Sequence, residues 1–312
     1  MHERLRRLTT SMRQERLLAL QQNMNLPFQL LNVFALPGRP WTGNALAVFT
    51  ECAGLDEATM RAIARQMNLA EVTFVEMVSG SQVSANVRIF TVSVEMSFAG
   101  HPTLGTAHVV HAMQGRQGDS VALQMKAGLV HVRRVGESAW QLRAAKHASW
   151  TPTASGREGM AKVLGLAVSE IQGVPMWVDT GTEQLIVPLR DAESVRRVTI
   201  DAGAMGELAY SDVAGEAIVY VIGPREDGDL EARFFTLSQG AILEDAATGS
   251  ACVNYGGYLS LACATPLPFE AIIHQGSHVG RPSRLGLHVT REDVFVCGEV
   301  AHVGHGMLHI EI

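Results

Sequence analysis

Arg88-Ile89-Phe90-Thr91-Val92-Ser93 returns 145 residues further on as Arg233-Phe234-Phe235-Thr236-Leu237-Ser238. Each copy runs into a glycine-containing loop and then a run of small residues, Gly105-Thr106-Ala107 in one half and Gly249-Ser250-Ala251 in the other, now 144 apart. Thr42-Gly43-Asn44-Ala45-Leu46-Ala47-Val48 also resembles Thr180-Gly181-Thr182-Glu183-Gln184-Leu185-Ile186-Val187. Three matches in the same order imply a duplicated fold. Carrying the shift of 144 onto His101 reaches Asp245, which places two acid/base-capable side chains at equivalent points of two halves and a site between two lobes.

The bulk properties agree. A chain of 312 residues is long enough for two domains, each with its own core. Hydrophobic residues at 47% and charged residues at 18% are the composition of a globular protein. A net charge of −6 with no basic stripe argues against a nucleic-acid partner. Cys52, Cys252, Cys263 and Cys297 are far apart and form no CxxC, so neither a disulfide framework nor a zinc cluster is indicated, and a cytoplasmic location is the expectation. No apolar run has the length of a membrane helix. Residues 1–24 stand apart, with five arginines against Glu3 and Glu15, and read as an N-terminal extension before a fold that begins near Met24.

Along the chain, 28–34 and 45–49 read as strands joined by Pro37-Gly38-Arg39-Pro40. Met60, Ile63, Ala64 and Met67 follow helical spacing behind Asp56-Glu57, and that helix delivers the chain to the strand Glu71-Val72-Thr73-Phe74-Val75. Glu71 therefore sits at a helix-to-strand junction beside apolar residues, a place where a carboxylate is either a solvated strand-end charge or a functional one. Residues 103–113 and 248–263 are small or apolar on nearly every side, as a helix buried on all faces must be. The expected fold class is α+β, with two pseudo-symmetric lobes, each a mostly antiparallel or mixed barrel-like sheet around one central helix. Lobe one would cover 25–146 and lobe two 147–312, with a linker over 149–156 and a last strand over 307–312 that is free to return to lobe one.

Two helix N-termini facing each other beside His101 and Asp245 would attract an anion, so a small carboxylic acid is the expected ligand. Gly100-His101-Pro102-Thr103-Leu104-Gly105 lacks the lysine of a Walker loop, and no GxGxxG follows a strand, so nucleotide cofactors are not indicated. His108/His111 and His302/His305/His309 have ligand-like spacings without accompanying Cys or carboxylate motifs and read as scattered histidines, with no metal expected. The position that a shift of 144 pairs with Cys252 is His108, which disfavours a two-thiol racemase.

These motifs carry a family resemblance. Gly43-Asn44 before an apolar strand, Asn68-Leu69-Ala70-Glu71-Val72-Thr73-Phe74, Phe90-Thr91 to Glu95, Phe98-Ala99-Gly100-His101-Pro102-Thr103, Glu244-Asp245-Ala246-Ala247-Thr248-Gly249-Ser250-Ala251, and Gln275-Gly276 with Gly280-Arg281-Pro282 together resemble the PhzF-like proteins of phenazine biosynthesis, relatives of the diaminopimelate epimerase fold. The resemblance implies an active site between two lobes and commonly a homodimer. It also implies a cofactor-free isomerisation of the kind undergone by trans-2,3-dihydro-3-hydroxyanthranilate, in which a glutamate matching Glu71 moves a proton between carbons. On that reading Glu71, His101 and Asp245 are the catalytic candidates, and Asn44, Gly100, Thr248, Gly249 and Ser250 are the candidates for holding substrate. Ala70, Val72, Val92 and Ala246 depart from residues common in the family and remove hydroxyls and prolines near the site. Those departures leave open a binding protein that has lost turnover; a two-base amino-acid epimerase is a further alternative.

Overall fold

Residues 23–311, apart from 81, 239, 263 and 264, are described by a computed structural model of the chain. Residues 1–22, most of the expected extension, lie outside the described residues, as do Cys263 and the final residue of the expected last strand.

The first lobe runs β1 (Asn23–Val33), β2 (Asn44–Phe49), α1 (Glu57–Met67), β3 (Glu71–Met77), β4 (Ala85–Phe90), β5 (Glu95–Met96), α2 (Gly100–Met113), β6 (Ser120–Met125), β7 (Gly128–Arg134) and β8 (Ala139–Arg143). The second continues through β9 (Ser149–Pro152), α3 (Gly156–Leu164), β10 (Met176–Asp179), β11 (Glu183–Pro188), α4 (Ala192–Arg197), α5 (Ala202–Leu208), β12 (Tyr210–Ser211), β13 (Glu216–Pro224), β14 (Leu230–Ser238), β15 (Ala241–Asp245), α6 (Gly249–Ala262), β16 (Phe269–Gln275), β17 (Ser283–Val289) and β18 (Val294–Glu311).

Pairing repeats between the halves step for step. β1–β2 is antiparallel, β2–β3 parallel, β3–β4 and β4–β5 antiparallel, β4–β6 parallel, and β6–β7 and β7–β8 antiparallel. The second half follows with β10–β11, β11–β13, β13–β14, β14–β15, β14–β16, β16–β17 and β17–β18 in the same senses. The long β18 pairs with β8 over Phe295–Glu299 and with β1 over Val300–Glu311, so the first lobe's strands close on themselves around α2. The stretch expected as a linker over 149–156 is instead β9, hydrogen-bonded to β10, followed by the start of α3. Trp150 and Thr151 are strand formers, and the turn at 154–155 falls after them.

Both central helices are amphipathic on no face. Among Gly100–Met113, every residue to Ala107 is buried, then Val109, Val110 and His111. Such a helix is stable only inside a sheet that surrounds it. The duplicated strands carry a duplicated side-chain unit. Arg88 makes a two-pronged bond to Glu95 (2.7 and 2.9 Å) with its guanidinium 5.1 Å from the Phe90 ring, and Arg233 does the same with Glu244 (3.0 and 2.7 Å) and Phe235 (4.7 Å).

That unit corrects the expected equivalence of His101 with Asp245. Phe90 pairs with Glu95 and Phe235 with Glu244, and in both lobes the central helix begins five residues after the glutamate, at Gly100 and Gly249. His101 is therefore the structural counterpart of Ser250, and Asp245 that of Met96. The β14–β15 hairpin has four residues more than β4–β5, so a constant shift of 144 slips out of register there. The same alignment matches Val72, paired with Phe90, to Val219, paired with Phe235, and thus Glu71 to Ile218.

Candidate functional site

Local structure puts Glu71 at the junction the sequence indicated. Asp56 caps α1 by accepting from the Thr59 N–H, and Asn68 ends it in the left-handed conformation at φ 49° with its N–H on the Ala64 carbonyl. The chain then enters β3 at Glu71, beside Leu46 on β2. Gly43 precedes β2 at φ 87°, where a Cβ would lie 2.5 Å from the Val33 carbonyl oxygen, so only glycine fits. Its N–H donates to the Pro282 carbonyl and its own carbonyl accepts from Arg281 Nε, which fixes Asn44 against the second lobe.

Five of the candidate residues come together across the lobes. Asn44 Nδ2 donates to Asp245 Oδ1 at 2.9 Å and to the Ala247 carbonyl at 3.1 Å, and lies 3.5 Å from His101 Nδ1. Thr248 Oγ1 donates to Asp245 Oδ2 at 2.6 Å. His101 Nε2 is 3.5 Å from Glu71 Oε2. The side chains of Asn44 and Thr248, read from sequence as holding substrate, are thus turned onto Asp245. Gln275 steadies the same loop, donating from Nε2 to the Asp245 carbonyl and to Thr248 Oγ1, each at 3.0 Å.

The electrostatics of the cluster follow from burial. The Glu71 carboxyl is pushed up to about 8, first by desolvation and second by the neighbouring Asp245 charge. His101 is pushed down to about 3 by burial, and Asp245 is raised by burial against the opposing hydrogen bonds from Thr248 and Asn44. At neutral pH the 3.5 Å approach is accordingly between a carboxylic acid and a neutral imidazole, not an ion pair. Glu71 Oε2 and His101 Nε2 are buried without a hydrogen-bond partner, which is costly unless something else is meant to meet them.

Gly100, Gly249 and Ser250 form the second part of the site. A Cβ on Gly100 would stand 3.4 Å from the Gly249 Cα and 3.5 Å from the Ser250 N, so the two central helices meet end to end through bare backbone. Ala99 at the head of α2 supplies no side-chain cap. With Phe98, Gly181 and Thr182, these residues line a cavity of about 20 Å³, room for one water-sized group. Glu71, His101 and Asp245 are not among its lining residues; chain continuity from Gly100 to His101 and from Thr248 to Gly249 joins the two parts. Cys252, on α6, is fully buried with its thiol pKa driven well up, and among the described residues no cluster of His, Cys, Asp and Glu is arranged to hold a metal ion. No helix among them is long and apolar enough to cross a membrane.

A family model for phenazine biosynthesis-like proteins matches residues 32–306. The chain belongs to this family. It is 34% identical over 285 residues to an uncharacterized isomerase of Pasteurella multocida, covering 91% of this chain and 94% of the relative. It is 31% identical over 258 residues to the trans-2,3-dihydro-3-hydroxyanthranilate isomerase of Pseudomonas aeruginosa, covering 80% and 86%. The fold matches the crystal structure of a PhzF-family phenazine biosynthesis protein of Bacillus anthracis with a TM-score of 0.79, at 21% identity and over 92% of this chain and all of that one. With the family come the α+β epimerase-like fold and the enzyme class: the chain is an isomerase.

Sequence reasoning passed over several residues that shape this PhzF-family site. Phe34, at φ 62° despite its side chain, places its ring where a Cβ on Gly249 would come within 3.1 Å. Gln184 reaches Ser250 Oγ at 2.9 Å, and Asn254 reaches Gln184 at 2.8 Å. The duplicated Thr-Gly motif passes through Gln184, but nothing in its spacing marks it as facing the second helix.

Proposed function

We propose that this isomerase moves a proton between two carbons of a small carboxylic acid, with Glu71 taking the proton and returning it. The observation that carries the reading is the Glu71 carboxyl: buried, raised to about 8, and with one oxygen left without a partner next to neutral His101. Taking a proton from carbon needs a base close to the working pH that becomes, one step later, an equally good acid. A carboxyl near 8 is roughly one-tenth ionised at pH 7 and serves both halves of the cycle. Asp245, anchored by Thr248 and Asn44, keeps a carboxylate beside Glu71 that raises its basicity, and His101 offers a neutral donor or acceptor to the substrate's polar group.

The helix N-termini at Gly100 and Gly249, with the Ser250 hydroxyl, suit the substrate carboxylate, since exposed N–H groups at a helix start favour an anion. The free space between them is about 20 Å³, the size of one water-sized group. Glu71 has Ile218 as its counterpart in the duplicated lobe, which supports a single proton carrier working on one face over a pair of bases on two. The named activity of the Pseudomonas aeruginosa relative makes trans-2,3-dihydro-3-hydroxyanthranilate the first compound to try.

The test is proton NMR of that compound in D₂O with wild type and Glu71→Gln. Deuterium at carbon, or a new isomer, with wild type and none with the variant is expected. Exchange that survives in Glu71→Gln removes Glu71 from the role, and absence of exchange with folded wild type removes this compound.

A further inference from the structure

Ser250 is held by a chain of buried amides whose polarity can be followed from one end to the other. The Thr180 backbone N–H, which can only donate, reaches Asn254 Oδ1 at 2.9 Å, joined by the Thr180 hydroxyl at 2.6 Å. The Thr182 carbonyl, which can only accept, takes a bond from Asn254 Nδ2 at 2.8 Å. These backbone groups fix which way the Asn254 amide faces. Its remaining N–H donates to Gln184 Oε1 at 2.8 Å, so the Gln184 amide is fixed in turn and its Nε2 donates to Ser250 Oγ at 2.9 Å. Ser250 is thereby an acceptor on its protein side. Its own O–H has no acceptor among the described residues and faces the cavity it lines with Gly100 and Gly249.

The fold does not require this chain. The counterpart of Asn254, sixth residue of α6, is Gly105, sixth residue of α2. Val48 pairs with Thr73 as Ile186 pairs with Tyr220, which makes Leu46 the counterpart of Gln184. In the first lobe these two fill the same place with hydrocarbon, the Leu46 Cδ2 lying 2.5 Å from where a Gly105 Cβ would be. Gln184 and Asn254 are both buried, so the second lobe has desolvated two amides where Leu46 and Gly105 of its twin bring no polar side chain.

We propose that Gln184 and Asn254 are positioning residues that occupy the Ser250 oxygen from the protein side and leave its O–H to donate into the cavity beside the helix N-termini at Gly100 and Gly249, so that the cavity takes a carboxylate in preference to a carboxamide. Two acceptor oxygens match the Ser250 O–H and the helix-start N–H groups; a carboxamide has one acceptor oxygen and an NH₂ group with no acceptor to meet there. The proposal rests on the carboxylic-acid reading above.

The test is calorimetric titration of the whole protein with anthranilate and, as its neutral twin, anthranilamide. Wild type is expected to prefer anthranilate. Gln184→Met, which keeps side-chain length without the donor, should weaken anthranilate binding roughly tenfold and leave anthranilamide binding unchanged. In a Ser250→Ala background the same substitution should have no further effect. Equal losses for both ligands, no loss, or a loss that persists without the Ser250 hydroxyl overturns the relay. Ser250→Ala alone, a change at the cavity wall, decides the matter if Gln184→Met does not fold: unchanged anthranilate affinity overturns the proposal. Wild type that binds neither compound removes the carboxylic-acid reading and the proposal together, whereas binding with additive effects removes the relay alone.

Discussion

Glu71→Gln should make the protein more stable in alkali while leaving it unchanged in acid. The carboxyl stands at 4.5 in an unfolded chain and at about 8 in the folded one, with burial the first cause and Asp245 the second. Between those values the folded protein keeps a proton that the unfolded chain has released. Stability from this group is fully present below pH 4.5, falls by about 1.4 kcal/mol for each pH unit above it, and is lost once the pH passes 8. The whole interval amounts to about 5 kcal/mol. Glutamine has no proton to lose and follows no such slope. Urea unfolding of wild type and variant at steps from pH 4.5 to 9 isolates the effect, because titrations shared by both proteins cancel in the difference. The variant should gain steadily on wild type across that range and stop gaining near pH 8 to 9. A difference that stays constant from pH 4.5 to 9 would refute the assignment of a buried, high-pKa carboxyl to this position, and with it the basis for calling Glu71 a carbon base.

The pH dependence of exchange follows from the same group: kcat/KM for deuterium incorporation should climb about tenfold per pH unit up to roughly pH 8 and then level. Asp245→Asn should move that inflection downward without bringing it to 4.5, since desolvation remains; an inflection below pH 6 in wild type would count against Glu71. Arg233→Met, which removes a buried arginine and leaves Glu244, 11% exposed, unpaired, should cost about 3–5 kcal/mol by denaturant unfolding. Arg88→Met should cost only about 1 kcal/mol, because Arg88 is a third exposed and Lys126 stands 3.7 Å from the same Glu95. Equal costs would show that the two forks are not distinguished by burial.

What the sequence disclosed and what it hid have physical causes. The repeated Arg-x-Phe-Thr strand was legible because the arginine, its glutamate and the aromatic form one unit that recurs intact. The helices read over 103–113 and 248–263 were legible because residues small or apolar on nearly every side are tolerated only inside an enclosing sheet. The pairing of His101 with Asp245 was misread, since a constant offset cannot register four extra residues in the β14–β15 hairpin, which change no pattern of hydrophobicity. The stretch at 149–156 looked like a linker because its Pro and Gly are loud, while four exposed strand residues are quiet. Gln184 and Asn254 stayed hidden because a buried polar side chain is told from an exposed one only by what folds over it.

The closing of the first barrel by β18 also orders events in time. Asn23 pairs with Glu311 and Val33 with Val300, so one wall of the first lobe is a segment that follows the strands of the second. During synthesis α2 can be surrounded on its other sides, but its hydrophobic surface stays partly uncovered until residues 295–311 have left the ribosome, and the second lobe is free to assemble before the first is sealed. The first lobe is thus sealed after the second has been made, and a chain halted before residue 295 would hold an open barrel with two bare strand edges, at β1 and β8, the kind of edge on which polypeptides stick to one another.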